Sequence, residues 1–103
     1  MTKPRAVFLD ALSLGPVDLA PLERHAELIC WPSTTPELRL ERLQGAAIAI
    51  TNKIQLDGEL LRQLPQLRLI CAASTGTDQI DGQACSELGI AVRNAGRYST
   101  ASV

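Results

Sequence analysis

Short apolar runs alternate with helix-like segments along this sequence, and this alternation limits how the chain can fold more than any other feature. The run AAIAI at 46–50 contains no polar residue, as expected of a strand that is covered on both faces. Four comparable runs rich in Val, Ile, Leu and Ala read as further strands. The five predicted strands are 5–9, 26–30, 46–50, 67–73 and 90–92.

Helices are predicted between the strands, and residues typical of helix ends mark most of them. The predicted helices are 17–25, 35–45, 56–65 and 81–89, and LSLGP at 12–16 reads as a loop. The expected N-caps are Thr35, Asp57 and Asp81, Pro36 takes a first helical position, and Gly45 and Gly89 close two of the helices.

This order of elements predicts an α/β fold with a parallel sheet and right-handed crossovers. We expect a flavodoxin-like five-stranded sheet in the order 2-1-3-4-5, flanked by helices, in one domain that spans residues 1–103. Cys30 and Cys71 would then lie three strand spacings apart, about 14 Å. A disulfide allows at most about 7 Å between the two Cα atoms, so these cysteines should not be bonded within one chain.

Composition excludes several classes of function. The net charge is −1 and no basic stripe is present, so nucleic-acid binding is not expected. No apolar run approaches the roughly 20 residues that cross a membrane, and MTKPRAVFLD shows no signal peptide, which predicts a cytoplasmic protein. Three cysteines without CxxC spacing and a single histidine, His25, predict buried reduced thiols rather than a metal site.

Ligands of open α/β sheets bind beyond the carboxyl ends of the strands. Because strands 3 and 4 should be neighbours, Asn52 and Lys53 should face the glycine-bearing turn after strand 4. Four stretches fall at this end of the sheet: Asp10–Ala11, Thr51–Lys53, Ser74–Asp78 and the chain from Asn94 onward.

The turn in AASTGTDQID, residues 72–81, has a single glycine and matches no dinucleotide or phosphate-loop fingerprint. Such fingerprints occur nowhere in the sequence, so this chain alone should not hold NAD. Gly76 can expose consecutive backbone N–H groups that bind a small anion such as a carboxylate. Equally, Gly76 can serve only the backbone conformation of an ordinary β–α turn.

No catalytic residue emerges from the remaining candidates. Strand 3 ends in ITNK without the aspartate of a phosphoacceptor, the serines have no base near them in sequence, and His25 favours a surface position. Lys53 reads either as a solvated lysine or as a cation that steers an anionic substrate. Tyr98 either stacks over the site or covers the end of the sheet, and Asp10 reads as a turn or capping residue.

Motifs along nearly the whole chain resemble the N-terminal substrate-binding half of the D-2-hydroxyacid dehydrogenase family, in particular its glycerate dehydrogenase/hydroxypyruvate reductase-like members. The matching stretches are KPRAVFLDALSLGP, TNK, LPQLRLI, STGTDQID, GIAVRN and YSTASV. Each is weak by itself, and their order and spacing make the resemblance specific. It implies reduction of a small 2-keto acid to the D-2-hydroxy acid, with NAD or NADP bound in the full-length enzyme.

The resemblance also implies roles for individual residues. The backbone amides of Thr75 and Gly76 would bind the substrate carboxylate. Asn52 and Lys53 would line the opposite wall, and Tyr98 would approach the substrate. The implied substrate-binding residues are Asn52, Lys53, Ser74, Thr75, Gly76 and Tyr98.

Two departures from the family pattern accompany the resemblance. The family commonly shows N-x-P-G-Y where this chain reads NAGRY at 94–98, without the proline. The sequence also stops where the family enters its Rossmann domain, which carries the Arg, Glu and His of catalysis. We therefore expect a truncated, incomplete substrate domain that is inactive alone and binds no cofactor.

An incomplete substrate domain should expose apolar surface and self-associate, or belong to a homo-oligomer. The alternative is a stand-alone module that binds small anions or another protein and has no enzymatic activity.

Overall fold

The computed structural model describes residues 3–14, 23–72 and 79–94. All five strands of the sheet are parallel and pair in the order β2-β1-β3-β4-β5, which confirms the predicted flavodoxin-like order. The register aligns Val7 of β1 with Ile29 of β2 and with Ala49 of β3. The strands are β1 Arg5–Phe8, β2 Glu27–Cys30, β3 Ile48–Thr51, β4 Leu69–Ala72 and β5 Ala91–Asn94.

The helices are shorter than the sequence predicts, because turns occupy the last residues of the predicted helical segments. They are α1 Ala11–Leu14, α2 Arg39–Leu43, α3 Gly58–Leu61 and α4 Gly82–Leu88, and a 3-10 turn at Pro36–Leu38 precedes α2. The prediction of a loop at 12–16 is wrong for residues 12–14, which belong to α1. The first amides of α1 donate to the carbonyls of Trp31 and Pro32, at 2.9 and 3.1 Å, and these bonds favour the helical turn. Most of the helix predicted at 17–25 lies outside the described residues.

Helix ends agree with the sequence most closely at α4. The Asp81 carboxylate accepts a hydrogen bond from the Ala84 amide at 3.1 Å, and Gly89 has a left-handed φ of 74°. Gly45 likewise adopts a φ of 76° after α2. Thr35 and Asp57 occupy N-cap positions, but neither side chain makes a capping hydrogen bond. Asp57 instead pairs with Arg39, as described below.

The core lies between the sheet and the helices, and aliphatic side chains fill it. Val7 of β1, Ile70 of β4, Leu43 of α2 and Leu61 of α3 are at most 1% exposed. Because burying a side chain of this size contributes about 1.5–3 kcal/mol, these contacts hold the helices on the sheet.

The cysteines are all unbonded, as the strand order requires for Cys30 and Cys71, but their burial differs. Cys85 is buried and Cys71 half-buried, as expected. Cys30 is exposed, so the prediction of a buried thiol is wrong there. It lies on β2, which is an edge strand with both ends of its burial pattern open to solvent.

Among the described residues, no helix is both long and apolar enough to cross a bilayer. In the same part of the chain, no group of three or more His, Cys, Asp or Glu side chains is placed to hold a metal ion.

Candidate functional site

Buried polar side chains of the described residues gather at one end of the sheet. They lie at or just after the carboxyl ends of β1, β2 and β3, where a parallel sheet binds its ligands. The four residues are Asp10, Thr34, Thr51 and Asn52, which are 3%, 6%, 0% and 9% exposed. Because a buried polar group is costly without a hydrogen bond, the contacts of these side chains define how the site is built.

Asp10 joins the end of β1 to the turn that follows β3. One carboxylate oxygen accepts a hydrogen bond from the Asn52 amide at 2.8 Å, and the other accepts from the Lys53 amide at 2.7 Å. Two consecutive amides that hold one anion form a nest. The carboxylate therefore does more than the turn or capping role expected from the sequence, since it fixes a turn 42 and 43 residues away.

Further hydrogen bonds hold the same turn. The Thr51 hydroxyl accepts from the Ile54 amide and donates to the Ile54 carbonyl, both at 2.9 Å. The side-chain amide of Gln79 donates to the Asn52 carbonyl at 3.2 Å. The turn at 51–54 is thus held by Asp10, by the bonds of Thr51 within the turn and by Gln79, which precedes α4.

Lys53 is exposed and lines a cleft of about 330 Å³ together with residues of the α2 segment. The residues around it are Thr34, Pro36, Arg39, Lys53, Ile54 and Gln55. Arg39 donates to the Asp57 carboxylate at 3.0 Å and also to the Gln55 carbonyl. Within the described residues the Lys53 ammonium has no ion-pair partner, so Lys53 supplies the uncompensated positive charge of the cleft.

Arg39 and Asp57 neutralise each other beside this cleft. Partial burial raises the pKa of Asp57, but hydrogen bonds from its own backbone amide and from Arg39, with the guanidinium charge, lower the pKa by more. The net pKa of Asp57 lies below its ordinary value, so the carboxylate stays ionised and paired with Arg39 at neutral pH.

The substrate-binding residues predicted from the sequence divide into two groups. Asn52 and Lys53 lie on the turn after β3, next to the end of β4. Gln79, the residue that follows the predicted stretch Ser74–Asp78, contacts this turn. Ser74, Thr75, Gly76 and Tyr98 lie outside the described residues. The binding roles of all six residues remain predictions.

The sequence reasoning missed Gln79, and for Asp10, which it placed at this end of the sheet, it missed the bonds to the turn after β3. A signal for Asp10 was present in the predicted strand order, which already placed strand 1 beside strand 3. An aspartate at the end of strand 1 therefore had the backbone of Asn52 and Lys53 as its neighbour. Gln79 carried no comparable signal, because one glutamine in a polar stretch predicts no particular contact.

This arrangement can bind a ligand, but the described residues contain no side chains arranged for acid–base catalysis. His25, the single histidine of the sequence, is exposed as predicted and precedes β2. It therefore lies at the amino end of the strands, away from Lys53. The charge of Lys53 favours a small anion at the carboxyl end.

Comparison with known proteins gives the family of the chain. Residues 6–103 match the model of the D-isomer specific 2-hydroxyacid dehydrogenase catalytic domain. A glycerate dehydrogenase of Methylorubrum extorquens is 44% identical over 100 residues, which are 96% of this chain and 31% of that protein. A hydroxypyruvate reductase of Blautia hydrogenotrophica is 34% identical over 104 residues, which are 96% of this chain and 32% of that protein.

Solved structures share the fold. A glyoxylate reductase from Paecilomyes thermophila superposes with a TM-score of 0.74 at 23% identity, over 91% of this chain and 32% of that one. An NAD+-bound 3-phosphoglycerate dehydrogenase of Entamoeba histolytica gives a TM-score of 0.72 at 22% identity, over 88% of this chain and 32% of that one. At such identities the likeness establishes the fold alone.

The chain spans about a third or less of the length of the relatives and structures that it matches. The family match nevertheless covers nearly every residue, and the curated relatives match the same stretch. By sequence and by fold, the chain belongs to the D-isomer specific 2-hydroxyacid dehydrogenase family.

Proposed function

We propose that this chain is the substrate-binding part of an NAD(P)-dependent oxidoreductase that interconverts 2-keto acids and D-2-hydroxy acids of the glycerate, hydroxypyruvate or glyoxylate type. The observation that carries the proposal is the turn after β3, whose backbone is fixed by Asp10 and whose Lys53 ammonium lacks an ion-pair partner in the described chain. The family match over residues 6–103 and relatives named glycerate dehydrogenase and hydroxypyruvate reductase support it.

The proposed substrate is a small monoanion. Its carboxylate binds the backbone amides of Thr75 and Gly76, next to Ser74, as the family resemblance implies. Asn52 and Lys53 line the opposite wall, where the ammonium attracts the anion and the side-chain amide supplies both a donor and an acceptor. Tyr98 approaches the substrate from the segment after β5. In this proposal the chain binds and orients the acid and performs no proton transfer.

The nicotinamide cofactor belongs to a different part of the enzyme in this proposal. The sequence contains no GxGxxG, and the described glycines, at 45, 58, 82 and 89, are too far apart to form a pyrophosphate loop. These residues do not fit a dinucleotide, so we assign no step of hydride transfer to them. We propose that the chain acts together with a cofactor-binding domain that holds NAD or NADP.

A chimera tests the proposed function. Residues 6–103 replace the matching segment of the Methylorubrum extorquens glycerate dehydrogenase, which supplies the rest of an enzyme. We expect the chimera to oxidise NADH with hydroxypyruvate or glyoxylate, and Lys53→Met to raise KM for the keto acid about tenfold, because one charge-assisted contact contributes about 1.5–3 kcal/mol. The isolated chain with NADH and either acid is the control, in which no NADH consumption is expected.

A folded chimera that binds NADH but reduces neither acid would count against the proposal. If the isolated chain also bound acetate as tightly as the keto-acid analogue oxamate, a general anion-binding module would be favoured instead.

Location and assembly are also proposals. Three unpaired thiols suit a reducing compartment, which supports a cytoplasmic location.

Self-association through apolar surface has limited support, since Leu12 and Leu88 are the large apolar side chains exposed in the described residues. Light scattering of the chain at increasing concentration measures it, and a monomer throughout would contradict it.

A further inference from the structure

The backbone amides of the turn after β3 are already engaged. Both oxygens of the Asp10 carboxylate are used, one by the Asn52 amide and one by the Lys53 amide. This side chain is 3% exposed, and a carboxylate remains in such a position only where hydrogen bonds offset its desolvation. A ligand at this turn therefore cannot use these two amides and would depend on the side chains of Asn52, which is 9% exposed, and of exposed Lys53.

Gln79 holds the same turn from the opposite direction. Its side-chain amide donates to the Asn52 carbonyl at 3.2 Å, so the turn is held both by Asp10, which follows β1, and by Gln79, which lies between β4 and α4. The backbone of Gln79 is itself fixed, because its carbonyl accepts from the Leu56 amide at 2.8 Å and Leu56 is fully buried. Gln79 also ends the polar stretch after β4 in the sequence, and its side chain connects this part of the chain to the turn after β3.

From this geometry we propose that Asp10 and Gln79 are positioning residues that fix the backbone of Asn52 and Lys53 and so aim their side chains at the bound 2-keto acid. The inference deepens the proposed function and rests on it. Lysine has a long flexible stem, and holding its backbone from two sides limits where the ammonium can reach. A displacement of about 1 Å in a binding group can weaken its action by up to about a hundredfold.

Asp10→Asn tests the inference, because asparagine has the same shape but one acceptor where the carboxylate has two. Its NH2 group faces one of the two backbone amides, so at least one hydrogen bond is lost. The control is Asp81→Asn, which makes the same chemical change at the N-cap of α4, where the carboxylate accepts from the Ala84 amide. Gln79→Leu removes the second contact without changing charge.

The measurements are made on the 103-residue chain by NMR, with amide hydrogen exchange and with a titration of oxamate, an unreactive 2-keto acid analogue. In Asp10→Asn we expect the amides of Asn52 and Lys53 to exchange at least about tenfold faster while Ile50 and Ile70 are unchanged, since only a local hydrogen bond is lost. Oxamate should bind about tenfold more weakly to this variant and about threefold more weakly to Gln79→Leu. Asp81→Asn should bind oxamate within twofold of the parent.

Unchanged exchange at Asn52 and Lys53 in folded Asp10→Asn would overturn the inference, and so would oxamate binding within twofold of the parent. If Asp10→Asn does not fold, Gln79→Leu decides the question, and unaltered affinity in that variant overturns it. If the parent chain binds no oxamate, the proposed function is overturned. The exchange rates in the two variants then test only whether Asp10 and Gln79 hold the backbone of the turn.

Discussion

The two ends of the parallel sheet satisfy their backbone groups in different ways. At the amino end, backbone bonds connect neighbouring strands. The Ala47 amide donates to the Arg5 carbonyl, the Arg68 amide to the Ala47 carbonyl and the Ala91 amide to the Arg68 carbonyl, at 2.8–2.9 Å. At the carboxyl end, backbone bonds such as that from the Leu9 amide to the Ile50 carbonyl at 3.0 Å are supplemented by side-chain bonds. The Asp10 carboxylate binds two amides, and the Thr34 hydroxyl donates to the Leu9 carbonyl at 2.7 Å.

The exposure of charged and polar side chains also differs between the two ends. The charged residues at the amino end, among them Lys3, Arg5 and Arg68, are exposed around an open groove. At the carboxyl end polar groups are buried, and no buried side-chain nitrogen or oxygen of the described residues lacks a partner. Burying polar groups is costly, so we infer that the sheet tolerates this cost at the end where the turns must be held in one conformation.

Asp10→Ala should have the largest effect among changes at the two ends. It removes both acceptors, leaving the Asn52 and Lys53 amides without the carboxylate, and it opens a small cavity. Since an unsatisfied buried donor costs about 1–3 kcal/mol, we expect the free energy of unfolding to fall by about 3 kcal/mol. Urea denaturation followed by circular dichroism measures it. A loss under about 1 kcal/mol would mean that the carboxyl end does not depend on this side chain.

Thr51→Val should have the next largest effect. Valine keeps the shape of threonine but deprives the Ile54 amide and carbonyl of the hydroxyl that each contacts at 2.9 Å. We expect a loss of about 1.5 kcal/mol by the same measurement, because water can reach half-buried Ile54 and partly replace the bonds. Thr35→Val is the matched control, since Thr35 is exposed and makes no capping bond, and it should change stability by less than about 0.5 kcal/mol.

The alternation of apolar runs and helical segments was enough to predict the sheet order, because right-handed crossovers leave few arrangements for five parallel strands. Element lengths were less predictable. Residues 11–14 form a helical turn whose first amides donate to carbonyls after β2, a contact between segments distant in sequence. Asn52 and Lys53 could be placed at the site from their position after an apolar strand. Of the partners of their backbone, Asp10 could have been inferred from the predicted strand order, whereas the contact of Gln79 depends on side-chain geometry that spacing does not encode.

The ion pair of Arg39 and Asp57 should give a smaller, pH-dependent effect. The pKa of Asp57 is lower in the folded protein than its ordinary value near 3.8, so the pair stabilises the fold at pH values above that ordinary pKa. The stabilisation is lost as the pH falls through the lower, folded pKa. Because the carboxylate is 52% exposed, it should contribute only about 0.5 kcal/mol. The stability difference between the parent and Asp57→Asn should therefore shrink as the pH falls from neutral to below the ordinary pKa of 3.8, and a difference that grows would contradict this sign.

Glu27→Gln, at the amino end, should have the smallest effect of all. Its carboxylate lies 3.8 Å from Arg5, and the two side chains are 59% and 45% exposed, so water and salt screen the pair. We expect a change in the free energy of unfolding below about 0.5 kcal/mol, and no remaining difference from the parent at about 1 M salt. The amide keeps the shape of the carboxylate, so the measurement isolates charge. If this change destabilised the chain as much as Asp10→Ala, side-chain charge would matter equally at both ends, and the burial of polar groups at the carboxyl end would no longer indicate where the sheet is built to hold a ligand.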